Sequence, residues 1–385
     1  MKGFVQIIWT VLLTGVTLVA QQSVAGQAQQ SDVFVSGTNG YHTYRIPSLI
    51  VTRKGTLLAF CEGRKNSDSD RGDIDLLLRR SLDGGSTWLP TQIVWNDGTN
   101  TCGNPCPVVD RETGVIWLLL SWNSGTLRRA EDVQAGFGED SRRIFVTHSA
   151  DDGATWAVPL NITASVKRPE WRGCSTGPGN GIQLRSGRLL IPCHHSVQVN
   201  DKLNTHSHIL YSEDHGHTWK LGGEADEKSN ESAVAELADG SLLLNMRNNF
   251  GRNRRAIARS HDAGLTWSPI AFDDALIEPI CQGSLVTARR WNEASHALMF
   301  SNPADIWRAR LTIRLSRDGG RTWPAARLIH EGPAGYSSLC VLNGDETGLL
   351  YERGDQFTYE CITYARFSLR WLAVGDERMT INLEK

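Results

Sequence analysis

Short apolar runs alternate with polar turns along most of the chain, and no stretch has a convincing helical period of apolar residues. Many runs follow a turn that contains glycine, as in Gly55-Thr56-Leu57-Leu58. Runs bounded by such turns are typical of β-strands. The predicted strands cover 56–60, 74–78, 115–120, 188–191, 241–245 and 297–300. The chain is therefore predicted to be all-β.

One pattern of eight residues, Ser-x-Asp-x-Gly-x-Thr-Trp, occurs five times and is called the Asp box below. Its Asp can accept backbone N–H bonds, its Gly permits a positive φ, and its Trp can pack onto a sheet, so the pattern predicts a hairpin turn. The boxes cover 81–88, 149–156, 212–219, 260–267 and 316–323. Their spacing of about 50 to 70 residues is typical of a four-stranded propeller blade with its loops.

Five boxes predict a six-bladed β-propeller if one blade lacks the box or is closed by the two chain termini. No Pro-rich or Ser-rich linker interrupts the pattern, so residues 32–385 are predicted to form one domain. Residues that recur in every blade cannot all face one axial pocket, so the Asp of each box is predicted to be structural. These residues are Asp83, Asp151, Asp214, Asp262 and Asp318.

The 385 residues have a net charge of −2, which does not favour a nucleic acid or an anionic membrane as partner. Residues 1–25 are predicted to be a signal peptide, because Met1-Lys2 precedes the apolar run 4–20 and the small residues 23–26. A secreted or periplasmic protein is therefore expected. A retained N-terminal anchor is the alternative.

Eight cysteines are scattered and form no Cys-x-x-Cys pair of the kind that binds zinc. Cys102 and Cys106 are the nearest candidates for a disulfide in an exported protein, and buried free thiols are the alternative. The histidine pairs at 194–195 and 206–208 have no third ligand in register, so they are predicted to be structural or at the surface. No metal or cofactor is predicted.

The first feature that does not repeat is Tyr44-Arg45-Ile46-Pro47, which is predicted to lie just before the first pair of strands. Together with the Asp boxes it resembles the exo-α-sialidase (neuraminidase) family, and the motifs follow in order from Arg45 to Glu352. The resemblance implies a six-bladed propeller that releases terminal α-linked sialic acid. It also implies that the partners are sialylated glycans: glycoproteins, glycolipids or oligosaccharides.

A sialoside carries a carboxylate on its anomeric carbon, and the planar fork of Arg binds a carboxylate more specifically than Lys does. The resemblance places the family's three arginines at Arg45, Arg247 and Arg308. Arg310 and Arg314 are alternatives to Arg308, because alternation along a strand puts them on the same face. Glu352 resembles the carboxylate that braces the first arginine of the family.

Sialidases use a Tyr nucleophile where most glycosidases use a carboxylate. A neutral phenol is not repelled by the acidic substrate, but its pKa of about 10 requires a base beside it. Tyr336 in Gly-Tyr-Ser-Ser-Leu resembles the nucleophile, and Glu231 in Asn-Glu-Ser resembles the base. Asp70, six positions after Arg64 (70 − 64), resembles the acid/base group, with Asp68 as the alternative. Arg64 is expected to line the mouth and to contact the substrate carboxylate or the 4-hydroxyl.

Asn104, in Gly-Asn-Pro-Cys, stands where several bacterial sialidases have Asp. Its amide can hydrogen-bond a hydroxyl or the N-acyl group but has no charge, which leaves selectivity at C4 and C5 open. Two other functions stay open: a non-catalytic propeller that binds sialylated glycans, and transfer of sialic acid to another sugar or within the molecule. The presence of both Tyr336 and Glu231 favours an enzyme over a binding protein.

Overall fold

The computed structural model describes residues 28–374 except 128, 201, 289–296 and 344. This part of the chain contains 24 β-strands, two short α-helices, α1 (Thr163–Val166) and α2 (Leu369–Val374), and one 3₁₀-helix (Ala130–Asp132). The all-β prediction is confirmed. No helix in the described ranges has the length and apolar character needed to cross a membrane. The predicted signal peptide lies outside the described residues.

The first two groups of strands share one sheet, and almost all of their pairings are antiparallel. Before them comes β1 (Gln29–Val35), which pairs elsewhere and starts upstream of the predicted domain boundary at residue 32. Group one contains β2 (Thr43–Val51), β3 (Leu57–Arg64), β4 (Ile74–Ser81) and β5 (Gln92–Trp95). Group two contains β6 (Thr101–Val109), β7 (Ile116–Asn123), β8 (Arg143–Ser149) and β9 (Leu160–Asn161).

Groups three and four form a separate antiparallel sheet each. Group three contains β10 (Trp171–Thr176), β11 (Ile182–Gln183), β12 (Leu189–Val199), β13 (Lys202–Ser212) and β14 (Lys220–Glu224). Group four contains β15 (Ser229–Glu236), β16 (Leu242–Asn248), β17 (Arg254–Ser260) and β18 (Ala271–Ile277).

The last sheet joins groups five and six through one long strand. It contains β19 (Ser284–Thr287), β20 (Leu298–Pro303), β21 (Ala309–Ser316), β22 (Ala325–Val341), β23 (Glu346–Arg353) and β24 (Cys361–Ser368). The first half of β22 pairs with β21 in group five, and its second half pairs with β23 in group six. Strand β1 completes group six by pairing with β24, with Gln29 opposite Arg366.

Each Asp box is the turn between the last two strands of its group. In the first box, the Asp83 carboxylate accepts hydrogen bonds from Ser81 Oγ (2.8 Å), Thr87 N (2.9 Å) and Thr87 Oγ1 (2.6 Å). The other four boxes repeat these contacts. Group six has no box because its third and fourth strands, β24 and β1, come from opposite ends of the chain.

The boxes and the non-repeated charged residues lie at opposite ends of the strands. On the β3–β4 pair, Ser81 of the first box faces Leu57, whereas Arg64 faces Ile74. Arg64 lies seven positions after Leu57 (64 − 57), which corresponds to about 23 Å of extended strand. The side chains of the Asp boxes therefore cannot contact the charged residues at the other end of the strands.

All six predicted strands are present, but several extend beyond their predicted ends. Strand β3 ends at Arg64 instead of residue 60, because the prediction followed apolar residues and the last strand residues are polar. The motif around Arg45 precedes the first predicted strand pair, as expected, but it lies inside a strand, β2, that the prediction did not include. Pro47 is tolerated there because the pairing with β3 shifts between Arg45 and Ser48, and Ile46 has a φ of 61°.

Apolar clusters fill the space between neighbouring groups. One such cluster contains Val108, Leu119, Ile191 and Leu210, and each fully buried aliphatic side chain contributes about 1.5–3 kcal/mol. All eight cysteines, which lie in the described part of the chain, are buried free thiols. They add to these clusters as small apolar side chains.

Candidate active site

A cavity of about 190 Å³ opens at the end of the strands opposite the Asp boxes. Six of the nine predicted site residues line it: Arg64, Asp70, Asn104, Glu231, Arg247 and Tyr336. A slightly larger cavity, of about 210 Å³, opens at the other end of the inner strands beside Val51, Val109 and Val341. Because the ionisable groups gather in the smaller cavity, the chemistry belongs there.

Tyr336 and Glu231 are in direct contact. The hydroxyl of Tyr336 on β22 lies 2.7 Å and 2.9 Å from the two carboxylate oxygens of Glu231 on β15. Arg247, on β16, donates from Nη1 to Glu231 and to the Tyr336 hydroxyl, both at 2.8 Å. Burial and the Glu231 charge raise the pKa of Tyr336 well above its usual range. Burial opposes ionisation of Glu231, but Arg247 outweighs it and lowers the pKa of Glu231. A neutral phenol thus faces an ionised carboxylate.

Glu352 braces both Arg45 and the backbone beside the nucleophile. Its carboxylate accepts bonds from Arg45 Nε (3.1 Å) and Nη2 (3.2 Å), and from the backbone N–H groups of Ile46 and Tyr336 (2.9 Å each). The side chain is fully buried. A Cβ on Gly335 would lie 2.2 Å from a Glu352 oxygen, so this close approach requires glycine.

Arg308 lies at the edge of the cluster of side chains around Tyr336. Its Cζ is 5.4 Å from the centroid of the Tyr336 ring, and its Nη1 donates to the hydroxyl of Tyr359 at 2.9 Å. The Tyr359 ring also lies 4.0 Å from the Cζ of Arg45. The alternative Arg310 instead pairs with an exposed glutamate at 3.1 Å. The structure therefore brings Arg308, not Arg310, to the site.

Asp70 is held by two arginines at the mouth of the cavity. Its Oδ1 lies 2.9 Å from Arg64 Nη2 and 3.4 Å from Arg45 Nη1, and its side chain is 66% exposed. Partial burial opposes ionisation of Asp70, but the charges of Arg64 and Arg45 outweigh it and lower its pKa. Asp68, the alternative, contributes only a backbone carbonyl to Arg64. The carboxylate at the mouth is therefore that of Asp70.

Glu62 links Arg64 to the wall that contains Asn104. Its Oε2 accepts bonds from Arg64 Nε (3.0 Å) and Nη2 (2.7 Å), while its Oε1 accepts one from the Asn104 N–H at 2.8 Å. A Cβ on Gly103 would lie 2.2 Å from that Oε1. Asn104 has a φ of 51°, and its carbonyl accepts a bond from Thr176 Oγ1 at 2.6 Å. One buried carboxylate thus fixes two predicted binding residues.

Sequence reasoning missed three residues of the site: Glu62, Tyr359 and Arg142. Glu62 had a usable signal, because it lies two positions before Arg64 on one strand and therefore on the same face. Tyr359 lies in the turn between β23 and β24, and Arg142 immediately precedes β8; neither stands in a pattern that points to the cavity.

The histidine pairs divide between the cavity and the interior. His194 lines the cavity, and burial lowers its pKa to about 4. The His195 ring stacks on Trp171, with centroids 3.5 Å apart, and its Nδ1 lies 3.0 Å from Nδ1 of the buried His208. No group of three potential ligands among the described His, Cys, Asp and Glu residues could hold a metal ion.

Comparisons with known proteins agree with this geometry. A family model described as a BNR repeat-like domain matches residues 55–351. A sialidase from Bacteroides fragilis is 35% identical over 337 residues, which are 82% of this chain and 61% of that protein. An exo-alpha-sialidase from Aspergillus fumigatus is 32% identical over 374 residues, which are 87% of this chain and 86% of that protein.

A solved structure has the same fold. The Hadza microbial sialidase Hz136 superposes with a TM-score of 0.82 at 35% identity, over 89% of this chain and 69% of that one. The family model and the Aspergillus fumigatus relative each match most of this chain. The similarity is therefore not confined to the repeated turns. The chain therefore belongs to the sialidase family of BNR-repeat proteins.

Proposed function

We propose that this protein is an exo-α-sialidase that hydrolyses terminal α-linked sialic acid from glycans and retains the configuration of the sugar. The observation that supports this most directly is the 2.7 Å contact between the hydroxyl of Tyr336 and Glu231, next to Arg45, Arg247 and Arg308. Its relatives named sialidase support the same reaction.

The three arginines hold the carboxylate of the sugar over Tyr336. Arg45 and Arg247 already have carboxylate partners, whereas the hydrogen-bond partners of Arg308 are a phenol and a carbonyl. Arg308 therefore contributes uncompensated positive charge, and burial of a cation without a counter-ion is costly until an anion binds. A carboxylate attached to the anomeric carbon satisfies this requirement and places that carbon beside the phenol.

In the first step, Tyr336 Oη forms a bond to the anomeric carbon and its proton passes to Glu231. The bond from that carbon to the leaving oxygen breaks while Asp70 donates a proton to this oxygen. In the second step, water attacks the carbon while the bond from that carbon to Tyr336 Oη breaks. Asp70 takes the proton of the water, and Glu231 returns a proton to the Tyr336 oxygen. Two inversions at one carbon retain the configuration.

Asp70 can act as an acid only after substrate has changed its surroundings. In the empty site its lowered pKa keeps it ionised, because Arg64 and Arg45 stabilise the charge. A bound sugar carboxylate competes for Arg45 and adds a second negative charge beside Asp70. Both effects raise the pKa of Asp70, so binding prepares the acid for proton transfer.

We also propose that the six groups of strands are the blades of one propeller and that residues 32–385 form its single domain. The pairing of β1 with β24 supports closure of the last group by both ends of the described chain. Export to the periplasm or the medium is proposed from the sequence of residues 1–25.

The test incubates the full chain with an aryl α-sialoside, follows aryl release, and identifies the first sugar product by NMR. We expect the α-anomer first, and a loss of about 10³-fold or more in kcat/KM for Tyr336→Phe. Tyr364→Phe is the matched control, because Tyr364 donates to Gly84 at the Asp-box end. Release of the β-anomer first contradicts retention, and full activity of Tyr336→Phe contradicts its role as nucleophile. If the product is a new sialoside or an anhydro sugar, the reaction is a transfer and not a hydrolysis.

A further inference from the structure

The strand that carries Tyr336 is unpaired along one edge. After Pro333, β22 pairs with β23 on one side, and no strand in the described ranges pairs with its other side. An unpaired edge leaves backbone N–H and C=O groups that need other partners when they are buried. Ser337, the residue after Tyr336, is fully buried. Both of its backbone groups on this edge therefore need partners from outside the sheet.

Gln282 supplies both of these partners. Its Oε1 accepts the Ser337 N–H at 3.0 Å, and its Nε2 donates to the Ser337 carbonyl at 3.0 Å. A neighbouring antiparallel strand would make the same two bonds with one residue. Nε2 also donates to the carbonyl of Pro178 in group three at 3.4 Å, and Gln282 is only 2% exposed. The amide thus takes the place of a missing strand at the residue next to Tyr336.

The segment that carries Gln282 is anchored by a buried ion pair. Arg255 Nη1 lies 2.8 Å from a carboxylate oxygen of Glu278, and both side chains are almost fully buried. The same Nη1 donates to the Cys281 carbonyl at 2.6 Å, and Glu278 accepts the Cys281 N–H at 3.4 Å. Cys281 belongs to the same apolar cluster as Tyr336. The residue before Gln282 is therefore held on both of its backbone groups.

Gln282 is separate from the cavity that contains the reacting groups. It lines the cavity at the Asp-box end of the inner strands, whereas Tyr336 and Glu231 line the cavity at the opposite end. Any effect of Gln282 on the reaction must therefore pass through the backbone of β22. Both proposed steps move a proton between Tyr336 and Glu231, which are 2.7 Å apart. A displacement of about 1 Å in such a contact can lower the rate about 100-fold.

We propose that Gln282 is a positioning residue, which holds the backbone of Ser337 so that the Tyr336 hydroxyl stays on Glu231. The inference rests on the proposed function, because it concerns the attack by Tyr336. Arg45 and Arg247 have carboxylate partners of their own. Binding of the sugar carboxylate should therefore depend much less on Gln282 than the chemical steps do.

The first experiment measures kcat and KM of Gln282→Met for an aryl α-sialoside. Methionine has a similar length but no amide, so kcat should fall about 10- to 100-fold while KM changes by less than about threefold. Inhibition by free sialic acid should be retained, which shows that the folded site still binds the sugar. Gln183→Met is the matched control, because Gln183 is also a buried amide and donates to Asp110 at 2.9 Å at the Asp-box end. This control should leave kcat unchanged.

A pH profile separates a positioning role from a loss of folded protein. Burial opposes ionisation of Glu231, whereas Arg247 on β16, His194 on β12 and the bond from Tyr336 on β22 lower its pKa. An aryl α-sialoside needs no protonation of its leaving group, so the acid limb of kcat/KM reports protonation of Glu231. Displacement of the phenol in Gln282→Met removes one bond to the charged form of Glu231. The pKa of Glu231 then rises, and the acid limb should move to higher pH.

Gln282→Glu tests the same contact with less disturbance of packing. Its carboxyl keeps the acceptor for the Ser337 N–H, and burial favours the protonated form, which can also donate to the Ser337 carbonyl. Gln282→Glu should therefore retain more of kcat than Gln282→Met. Where Gln282→Met does not fold, Gln282→Glu decides alone. As the pH rises and its carboxyl ionises, the donor is lost and kcat should fall relative to the wild-type protein.

Four results would overturn the proposal. They are an unchanged kcat in Gln282→Met, an acid limb that does not move in that variant, equal losses of kcat in the two variants, and a ratio of Gln282→Glu to wild-type kcat that does not change with pH. Absence of turnover by the wild-type protein would instead reject the proposed function on which the inference rests.

Discussion

Replacement of Glu62 by Gln should damage the acid step more than the attack of Tyr336. The carboxylate of Glu62 is buried and accepts two bonds from Arg64 and one from the Asn104 N–H. A Gln side chain has one acceptor oxygen, so its NH₂ group must face either the Arg64 donors or the Asn104 N–H. One of these contacts becomes a donor facing a donor, and the negative charge is lost.

The magnitude follows from the burial of both partners. Removing one partner of a buried ion pair costs about 3–5 kcal/mol, and because Arg64 keeps its contact with Asp70 we expect about 3 kcal/mol in the free energy of unfolding. Loss of the Glu62 charge also lowers the pKa of Asp70 further, since one like charge nearby disappears. Each unit lowers the protonated fraction tenfold, so a substrate that needs protonation should lose about 10- to 100-fold in kcat/KM.

The assay compares a sialylated oligosaccharide, whose leaving group must be protonated, with an aryl α-sialoside whose phenol departs without help. Glu62→Gln should lose far more activity on the first substrate than on the second. Glu213→Gln is the control, because Glu213 pairs with Arg188 at 2.6 Å beside an Asp box and is 46% exposed. Equal losses on both substrates, or no loss on either, would refute the link from Glu62 through Arg64 to Asp70.

Three further predictions concern residues outside the acid step. Tyr359→Phe removes the hydroxyl that accepts from Arg308, so KM for an aryl sialoside should rise about 3- to 10-fold with kcat little changed; an unchanged KM contradicts this. Burial lowers the pKa of His208 to about 3, so below about pH 6.5 the unfolded state gains a proton that the folded state refuses. As the pH falls below about 6.5, this group should therefore lower the free energy of unfolding, measured in urea, by about 1.4 kcal/mol for each pH unit. His208→Gln should remove this contribution. Asp318→Ala loses four hydrogen bonds of its turn, which should lower the free energy of unfolding by about 1–2 kcal/mol and leave kcat/KM unchanged in the same aryl assay.

Local patterns predicted the strands and turns because these depend on neighbouring residues. The Asp of each box bonds within its own turn, as Asp151 does with Ser149 and Thr155, so eight residues suffice to specify it. The ends of the strands were harder, since residues such as Arg64 are buried although they are charged. Their burial depends on ion pairs, which an apolar pattern does not register.

The candidate site could be predicted only where a residue stands in a family motif. Arg45, Glu231 and Tyr336 stand in such motifs, and the structure brings them together. Tyr359 does not, and its contact with Arg308 joins residues 51 positions apart. A contact of this kind exists only after the groups of strands have assembled, so a local window cannot show it.

One side chain contributes both to the contact between groups one and six and to the candidate site. Glu352, on β23 of group six, binds Arg45 and Ile46 on β2 of group one, and it also binds the backbone of Tyr336. In the proposed propeller, groups one and six are neighbours, and this contact lies where the ring would close. The carboxylate that orients the first arginine therefore also joins the first and last groups, and the nucleophile is fixed by the same contact. Because the three roles share one buried charge, we expect loss of the Glu352 carboxylate to disturb Arg45, the backbone of Tyr336 and the contact between groups one and six together.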